Sequence, residues 1–325
     1  MAKSVSLKDI AQHLGLSVTA VSRALRDSKD ISQATIKLVK DKAGELGYIP
    51  NSLAISLKSG QTKNIVVIIN DFQNPFFAAI CDKVFKIIIA RGYQASLHFS
   101  NKHLLTVDDM DQVFRNKFRA VISFVEPLDH VAETFAKRNV PFVLVGINSR
   151  NPLVSSVYTD DYLGGHLIGE HFISLKMEKA LFLTNSFSET SYRRYSGFSD
   201  VILRNNKHVD IIPFDGGSDK VFLDTSIQKI TYNNYDFIFC FSDYLAIRLT
   251  HELKERKLLT KKMTIFGYDD LNRYYNIIDK TNSVSADYDK MITYSIDLII
   301  QQIENESDYK TVNKMFPVQL SLRKG

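Results

Sequence analysis

The stretch LKDIAQHLGLSVTAVSRAL, Leu7 to Leu25, decides how the chain begins. Ser6 stands before it as a helix N-cap, and Asp9 follows three residues later as the reciprocal partner of a capping box. Leu7, Ile10, Ala11 and Leu14 then recur at i, i+3, i+4 and i+7, which puts them on one face of a short helix. Gly15 ends that helix, because the turn needs a positive φ there. Leu16 is placed to fill the corner, and Ser17 caps a second helix whose Val21, Ala24 and Leu25 face inward. Two short helices joined by a tight Gly-containing turn are the layout of a helix-turn-helix. A third helix, beginning near Ser32, turns Ile36, Val39, Ala43 and Leu46 toward the same small core and stops at Gly47.

In such a unit the second helix enters the major groove of DNA by its N-terminal end. Val18, Thr19 and Arg23 are then the side chains that reach base edges, with Arg23 offering two parallel donors to a guanine and Val18 an apolar contact to a thymine methyl. Ser17, Ser22, Thr35 and the helix N-termini are expected to position phosphates. The charge agrees. Residues 1–60 carry nine Lys or Arg against five acids, while the other 265 residues are nearly neutral, so almost all of the chain's excess of five positive charges lies on this segment. Beyond it, Pro50 breaks the helical pattern, and Asn51 can cap a further helix lined by Leu53, Ala54 and Leu57. That helix is too short to stand alone and needs a partner chain, DNA or both.

The whole chain, 325 residues with 45% hydrophobic and 24% charged content, is long enough for two or three folding units with an ordinary core. Apolar runs are too short to cross a membrane, and the first residues lack the apolar segment of a secretory signal. Cys81 and Cys240, each in an apolar stretch, read as buried thiols in a reducing compartment, so a cytoplasmic protein is expected. From Asn64 onward, apolar runs alternate with amphipathic helices. Strands are expected at Ile65–Ile69, Gln94–Phe99, Ala120–Phe124, Phe142–Ile147, Ala180–Thr184, Asp210–Phe214, Phe237–Phe241 and Thr264–Gly267. Helices are expected between them, for example Phe76–Arg91 and Leu163–Leu175. That alternation predicts parallel sheets covered on both faces, hence an α/β body, with any ligand at the C-terminal ends of the strands.

In Leu7–Ala11, Gly15–Leu25 and Glu45–Asn51, and along essentially its full length, the chain resembles the lactose repressor family of bacterial regulators. The resemblance implies a headpiece over residues 1–50, a hinge helix and linker over 51–61, and an effector-binding and dimerisation domain over 62–325 with the periplasmic-binding-protein fold. Its N-subdomain would span about 62–158 and 288–316, its C-subdomain about 159–287 and 317–325, with crossovers near Tyr158, Asp287 and Phe316. It adds Tyr48, Asn51 and Lys58 to the residues expected at DNA, and makes Leu57 a wedge that two subunits insert together into the minor groove. The chain departs from the family at Arg26, where Asn is usual but a phosphate contact is still expected, and at Ile55, where Arg is usual. In the body the resemblance implies Phe76 or Phe77 and Tyr158 as ring-stacking residues and Arg194, Asp243 and Asp269 as polar ligand contacts. Gly146, Ser242 and Ala286 replace more polar residues of the family pattern.

Nothing in the sequence points to catalysis, to a cofactor or to a metal. No phosphate-cradling glycine loop or nucleophile motif occurs, and His166 and His171, five apart, do not share a helix face. The expected function is a sequence-specific DNA-binding regulator, a homodimer on a palindromic operator, with the segment near Phe76–Arg91 at the dimer interface. It is expected to repress carbohydrate uptake or catabolism genes under control of a sugar or sugar phosphate. Two alternatives are a corepressor type answering to a purine or another small metabolite and, from another class, a solute-binding transport protein. The basic headpiece speaks against the latter.

Overall fold

The computed structural model describes residues 5–48, 62–184, 188–213, 218–277, 280–305 and 310–323. The chain divides into two compact units, residues 1–62 and 63–325.

Among its described residues the first unit has three helices: α1 (Leu7–Leu14), α2 (Val18–Ala24) and α3 (Gln33–Glu45). Ser6 and Asp9 form the capping box of α1, and Gly15 closes it at φ 65°. The Ser17 hydroxyl accepts from the Ala20 amide at 3.1 Å and Ser32 caps α3 in the same way. Ile10, Ala11, Val21, Ala24, Ile36, Val39 and Ala43 are buried together, with Leu7, Leu14, Leu16, Leu25, Leu46 and Tyr48 packed around them. The cluster is small, so the caps carry a larger share of stability than they would in a large domain; each is worth roughly 1 kcal/mol.

Among its described residues the second unit holds two large parallel sheets and two two-stranded ones. Its elements are β1 (Asn64–Ile69), α4 (Pro75–Ala90), β2 (Gln94–Phe99), β3 (Leu104–Leu105), α5 (Val107–Arg115), β4 (Ala120–Ser123), β5 (Glu126–Pro127), α6 (Asp129–Lys137), β6 (Phe142–Val145), β7 (Ser155–Thr159), α7 (Asp161–Ser174), β8 (Lys179–Thr184), α8 (Glu189–Arg204), β9 (His208–Pro213), α9 (Asp219–Asn233), β10 (Phe237–Cys240), α10 (Asp243–Glu255), β11 (Thr264–Phe266), β12 (Ser283–Ala286), α11 (Tyr288–Glu304), β13 (Asn313–Phe316) and β14 (Val318–Ser321). One sheet runs β13-β7-β6-β4-β1-β2 and the other β11-β10-β8-β9, all neighbours parallel. β12 pairs antiparallel with β14 and touches the end of β11 through Phe266 and Asn282.

β1 shows why both faces of the first sheet are covered. Ile65, Val67 and Ile69 join the large cluster under α4 and α11, whereas Val66 and Ile68 join the opposite cluster under α5 and α6. Successive strand residues point to opposite faces, so a run of apolar residues demands a layer on each side. The second sheet repeats this, with α7 and α8 on one face and α9 and α10 on the other. The chain passes between the two lobes three times, at Thr159–Asp161, Ala286–Tyr288 and Phe316–Val318. Tyr158 is therefore inside a strand, β7, just before the first of these crossovers. β3, β5, β7, β12, β13 and β14 had no counterpart among the strands expected from sequence, being short or rich in polar residues.

α7 and α8 lie in unusually close contact through glycines. A Cβ on Gly165 would sit 2.0 Å from the Arg194 carbonyl oxygen, and one on Gly197 1.9 Å from that of Tyr162. Only glycine lets the two backbones meet there, and this contact sets the position of Arg194.

Candidate functional site

On the first unit, α2 presents Val18 at 43% exposure, beside exposed Ser17, Thr19 and Arg23 and half-buried Ser22. An exposed valine at a helix start has no folding role in a unit with so small a core. Arg23 Nη1 pairs with Asp30 at 2.6 Å, both side chains about half exposed, so the guanidinium stays open to solvent. Arg26 donates from Nε to the Ser22 carbonyl at 3.0 Å. The Thr35 hydroxyl lies 2.8 Å from that of Ser32, at the start of α3. Tyr48 packs its ring on the helical core. Asn51, Leu57 and Lys58, and with them the hinge helix, lie outside the described residues.

In the second unit a cleft of about 1060 Å³ opens between the lobes, at the C-terminal ends of both sheets. Its size is at the upper end for a small-molecule site. Phe76, Phe77, Arg194 and Asp269 line it. Phe76 and Phe77 enter on the first turn of α4, whose N-cap Asn74 accepts from the Phe76 amide at 3.1 Å. They continue an edge-to-face series that runs from Tyr288 through Phe76 and Phe77 to Phe124 at centroid spacings of 5.1, 5.8 and 5.9 Å. Such contacts fix the rings and give the cleft a rigid apolar wall.

Arg194 is the electrostatic centre. Its Nε donates to Asp161 Oδ1 at 2.9 Å, its Nη1 to the Phe241 carbonyl at 2.7 Å and its Nη2 to Asp269 Oδ1 at 3.4 Å. Its guanidinium carbon lies 3.5 Å from the centroid of Tyr268 and 4.8 Å from that of Phe241. Burial by itself disfavours its charge, but Asp161 and Asp269 outweigh that and hold its pKa above the ordinary arginine value. Burial raises the pKa of both carboxylates, and Arg194 offsets part of the rise in each. Of the five N–H donors of the guanidinium, three are engaged, which leaves one on Nη1 and one on Nη2.

Asp269 stands at φ 91°, followed by Asp270 at φ 51°, two non-glycine residues in succession in the left-handed region. Bonds on both sides enforce this: the Asp269 amide donates to the Val284 carbonyl at 2.9 Å and the Asp270 amide to the Ser283 hydroxyl at 3.0 Å. Strain kept up by that many bonds belongs with a site rather than a loop. The Asp269 side chain is reached from both lobes, by Arg194 from one and by the Tyr288 hydroxyl at 3.1 Å from the other, and both fall on Oδ1. Oδ2 makes no hydrogen bond to the described residues, although Asp269 is only 7% exposed and lines the cleft. An arginine with two spare donors beside a carboxylate with a spare acceptor oxygen is a fitting counterpart for hydroxyl groups, which both donate and accept.

Two residues expected in the cleft are elsewhere. Tyr158 pairs in register with Met315 of β13 and does not line the cavity; Thr159, next along the strand and facing the other way, does. Asp243 is fully buried behind the cleft. Ser242, not Asp243, caps α10, and the Asp243 carboxylate accepts from the Leu271 amide and the Ser283 hydroxyl, each at 2.7 Å. A Cβ on Gly267 would come within 2.0 Å of its Oδ1. Its role is to hold the chain around Asp269 in its strained course. Of the three substituted family positions, Gly146 and Ser242 line the cleft, while Ala286 is 6% exposed and packed in the core.

Sequence reasoning did not find Asp161, Tyr288, Glu126 or Glu189. Asp161 and Tyr288 each open a helix at a lobe crossover. Residues there touch both lobes by construction, and that was the available signal. His166 pairs with Glu170 at 3.4 Å and His171 lies edge-on to Phe266 at 5.3 Å, so the two histidines have different neighbours. No described helix is long and apolar enough to cross a membrane.

Residues 6–51 match the family model for bacterial regulatory proteins of the lacI family. Over nearly the whole chain, the sequence is 27% identical to the sucrose operon repressor of Lactococcus lactis subsp. lactis, covering 97% of this chain and 98% of that protein. It is 24% identical to the HTH-type transcriptional repressor PurR of Actinobacillus pleuropneumoniae serotype 3, covering 98% and 97%. The fold is similar to that of the lac repressor dimer solved with operator and an anti-inducer, at a TM-score of 0.82 and 20% identity over 99% of each chain.

Proposed function

We propose that this chain is a repressor of the lacI family of bacterial regulatory proteins, whose family model its residues 6–51 match, and that it represses carbohydrate genes in response to a sugar held between the lobes of its body. It is a DNA-binding repressor of the kind that answers to a small molecule, not an enzyme. The observation that carries the sugar reading is the Arg194–Asp269 pair, with two N–H donors and one carboxylate oxygen left for hydroxyls beside the Phe76–Phe77 wall. The similarity to the sucrose operon repressor supports the same class of effector.

On this reading two copies act in the cytoplasm on a palindromic operator, each placing α2 in a half-site with centres about 10 bp apart. Val18, Thr19 and Arg23 specify bases; Ser17, Ser22, Arg26, Thr35, Tyr48, Asn51 and Lys58 hold the backbone; the paired Leu57 wedges open the centre of the site. An effector that prefers one arrangement of the two lobes shifts operator affinity by the extent of that preference. The decisive experiment is a thermal-shift screen of sugars and nucleobases against the full chain, because a ligand of the folded cleft raises the melting temperature. Stabilisation by one or more sugars but no nucleobase is the expected result; stabilisation by a purine alone replaces the sugar reading with the corepressor one.

A further inference from the structure

The charged groups around the cleft bear on which small molecules it takes. Among the described residues four carboxylates line it, Asp71, Glu126, Glu189 and Asp269, against two permanent cations, Lys102 and Arg194, and one histidine, His103. Arg194 is already shared between Asp161 and Asp269, and Lys102 reaches Asp108 at 3.6 Å. Glu126 and Glu189 stand on opposite lobes, on β5 and on the first turn of α8. Burial raises the pKa of Glu126; Glu189 and Asp129 push it further up, while the Ser149 hydroxyl and Arg150 oppose them. Ser149 donates to Glu126 Oε1 at 3.2 Å, and Arg150 pairs with Glu189 at 2.9 Å. Each carboxylate thus keeps acceptor capacity toward the cavity.

The helix ends tell the same story. A helix N-terminus is the usual seat of a phosphate. Among the described residues four helices start at this cleft, α4, α8, α10 and α11, and an oxygen acceptor of the chain already meets each, Asp287 accepting from the Lys290 amide at the start of α11. Asn74 caps α4, with Asp71 accepting from the Gln73 and Asn74 amides before it. Ser188 caps α8, whose first turn carries Glu189, and Ser242 caps α10, whose first turn carries Asp243. Meanwhile Asp269, more than nine-tenths buried, offers an unpartnered acceptor oxygen where an anion would need a donor.

We propose that Glu126 and Glu189 are specificity residues facing each other across the cleft, which make it select uncharged, donor-rich ligands and reject their phosphate esters. The proposal rests on the reading of the cleft as an effector site and narrows it to unphosphorylated effectors. The two carboxylates accept hydroxyl hydrogens of a ligand that also meets Arg194 and Asp269.

The test is calorimetric titration of the full chain with matched pairs: glucose and glucose 6-phosphate, fructose and fructose 6-phosphate, sucrose and sucrose 6-phosphate, adenosine and adenosine monophosphate. The uncharged member of the pair that binds is expected to bind at least roughly tenfold tighter than its ester, a gap of about 1.4 kcal/mol. In a Glu126→Gln/Glu189→Gln variant, which keeps the volume and one acceptor oxygen on each side chain but removes the charge, that gap narrows; each single variant narrows it partway. Tighter or equal binding of an ester by the native chain overturns the proposal while leaving a sugar effector in place. A gap unchanged in the double variant overturns the role of these two residues. Adenosine binding above its monophosphate, with every sugar silent, supports the charge selection and rejects the sugar reading instead.

Discussion

Arg194 and Asp161 are 33 residues apart in sequence, yet the guanidinium Nε and the carboxylate Oδ1 lie 2.9 Å apart in a site where both side chains are no more than 7% exposed. The bond joins a helix that lines the cleft to the residue that completes a lobe crossover. Whatever moves Arg194 in the cleft is therefore felt where the chain changes lobes.

Arg194→Met removes the shared cation and leaves Asp161 and Asp269 buried together. Losing one partner of a buried ion pair costs about 3–5 kcal/mol. Urea unfolding of the body is expected to shift by that order, and sugar binding to be lost. A variant within 1 kcal/mol of the native chain, roughly the value of a surface pair, contradicts the buried triad.

Gly165→Ala tests the α7–α8 contact. The added methyl meets the Arg194 carbonyl 2.0 Å away, so the helices must part. A loss of about 1–3 kcal/mol is expected, accompanied by weaker ligand binding because Arg194 moves with its backbone. Gly92→Ala, where nothing lies within 4 Å of the new Cβ, meets only the strain of φ 80° and should leave ligand affinity unchanged.

Asp243 gives a pH signature. Burial lifts its pKa well above 3.8, and the bonds from Ser283 and Leu271 only partly offset this. A carboxyl with a raised folded-state pKa contributes its full stability below the unfolded value and loses it as pH rises through the folded one. Asp243→Asn is expected to flatten this component, so the native chain's advantage over the variant is larger at about pH 4.5 than at about pH 8. Urea midpoints at the two pH values measure it; an advantage that grows with pH has the wrong sign for this account.

Arg23→Ala should cost about 1–3 kcal/mol on the preferred operator and relax discrimination at one base position in each half-site. Binding to a set of single-base operator variants reads both. Uniform weakening across the set would make Arg23 a phosphate contact instead.

The first unit was legible in the sequence because its signals are local. Ser6 and Asp9, Gly15, Ser17 and the spacing of Ile10, Ala11 and Val21 all act within a few residues. Long apolar strands such as β1 and β10 were legible for the same reason. The polar edge strands β12, β13 and β14 were not, since SVSA, NKMF and VQLS become strands only through partners elsewhere in the chain. In the cleft, Arg194 and Asp269 were reachable from strand and helix ends. Their 75-residue separation, and the 19 residues from Asp269 to Tyr288, leave no local trace of the bonds joining them. Tyr158 was misplaced by one residue along a strand, which is enough to turn a side chain to the other face. Asp243 was misread because a carboxylate beside a helix start looks the same from sequence whether it faces a ligand or folds back on Leu271 and Ser283.

The central claim is that occupancy of the cleft at Arg194 and Asp269 governs operator binding by the first unit. It is tested most directly by titrating the full chain onto its operator with and without a saturating sugar that calorimetry has shown to bind. The account predicts that the sugar changes operator affinity at least tenfold, a coupling of about 1.4 kcal/mol, and that Asp269→Asn abolishes the change while DNA binding without sugar persists. Equal operator affinity with the cleft filled and empty would contradict it.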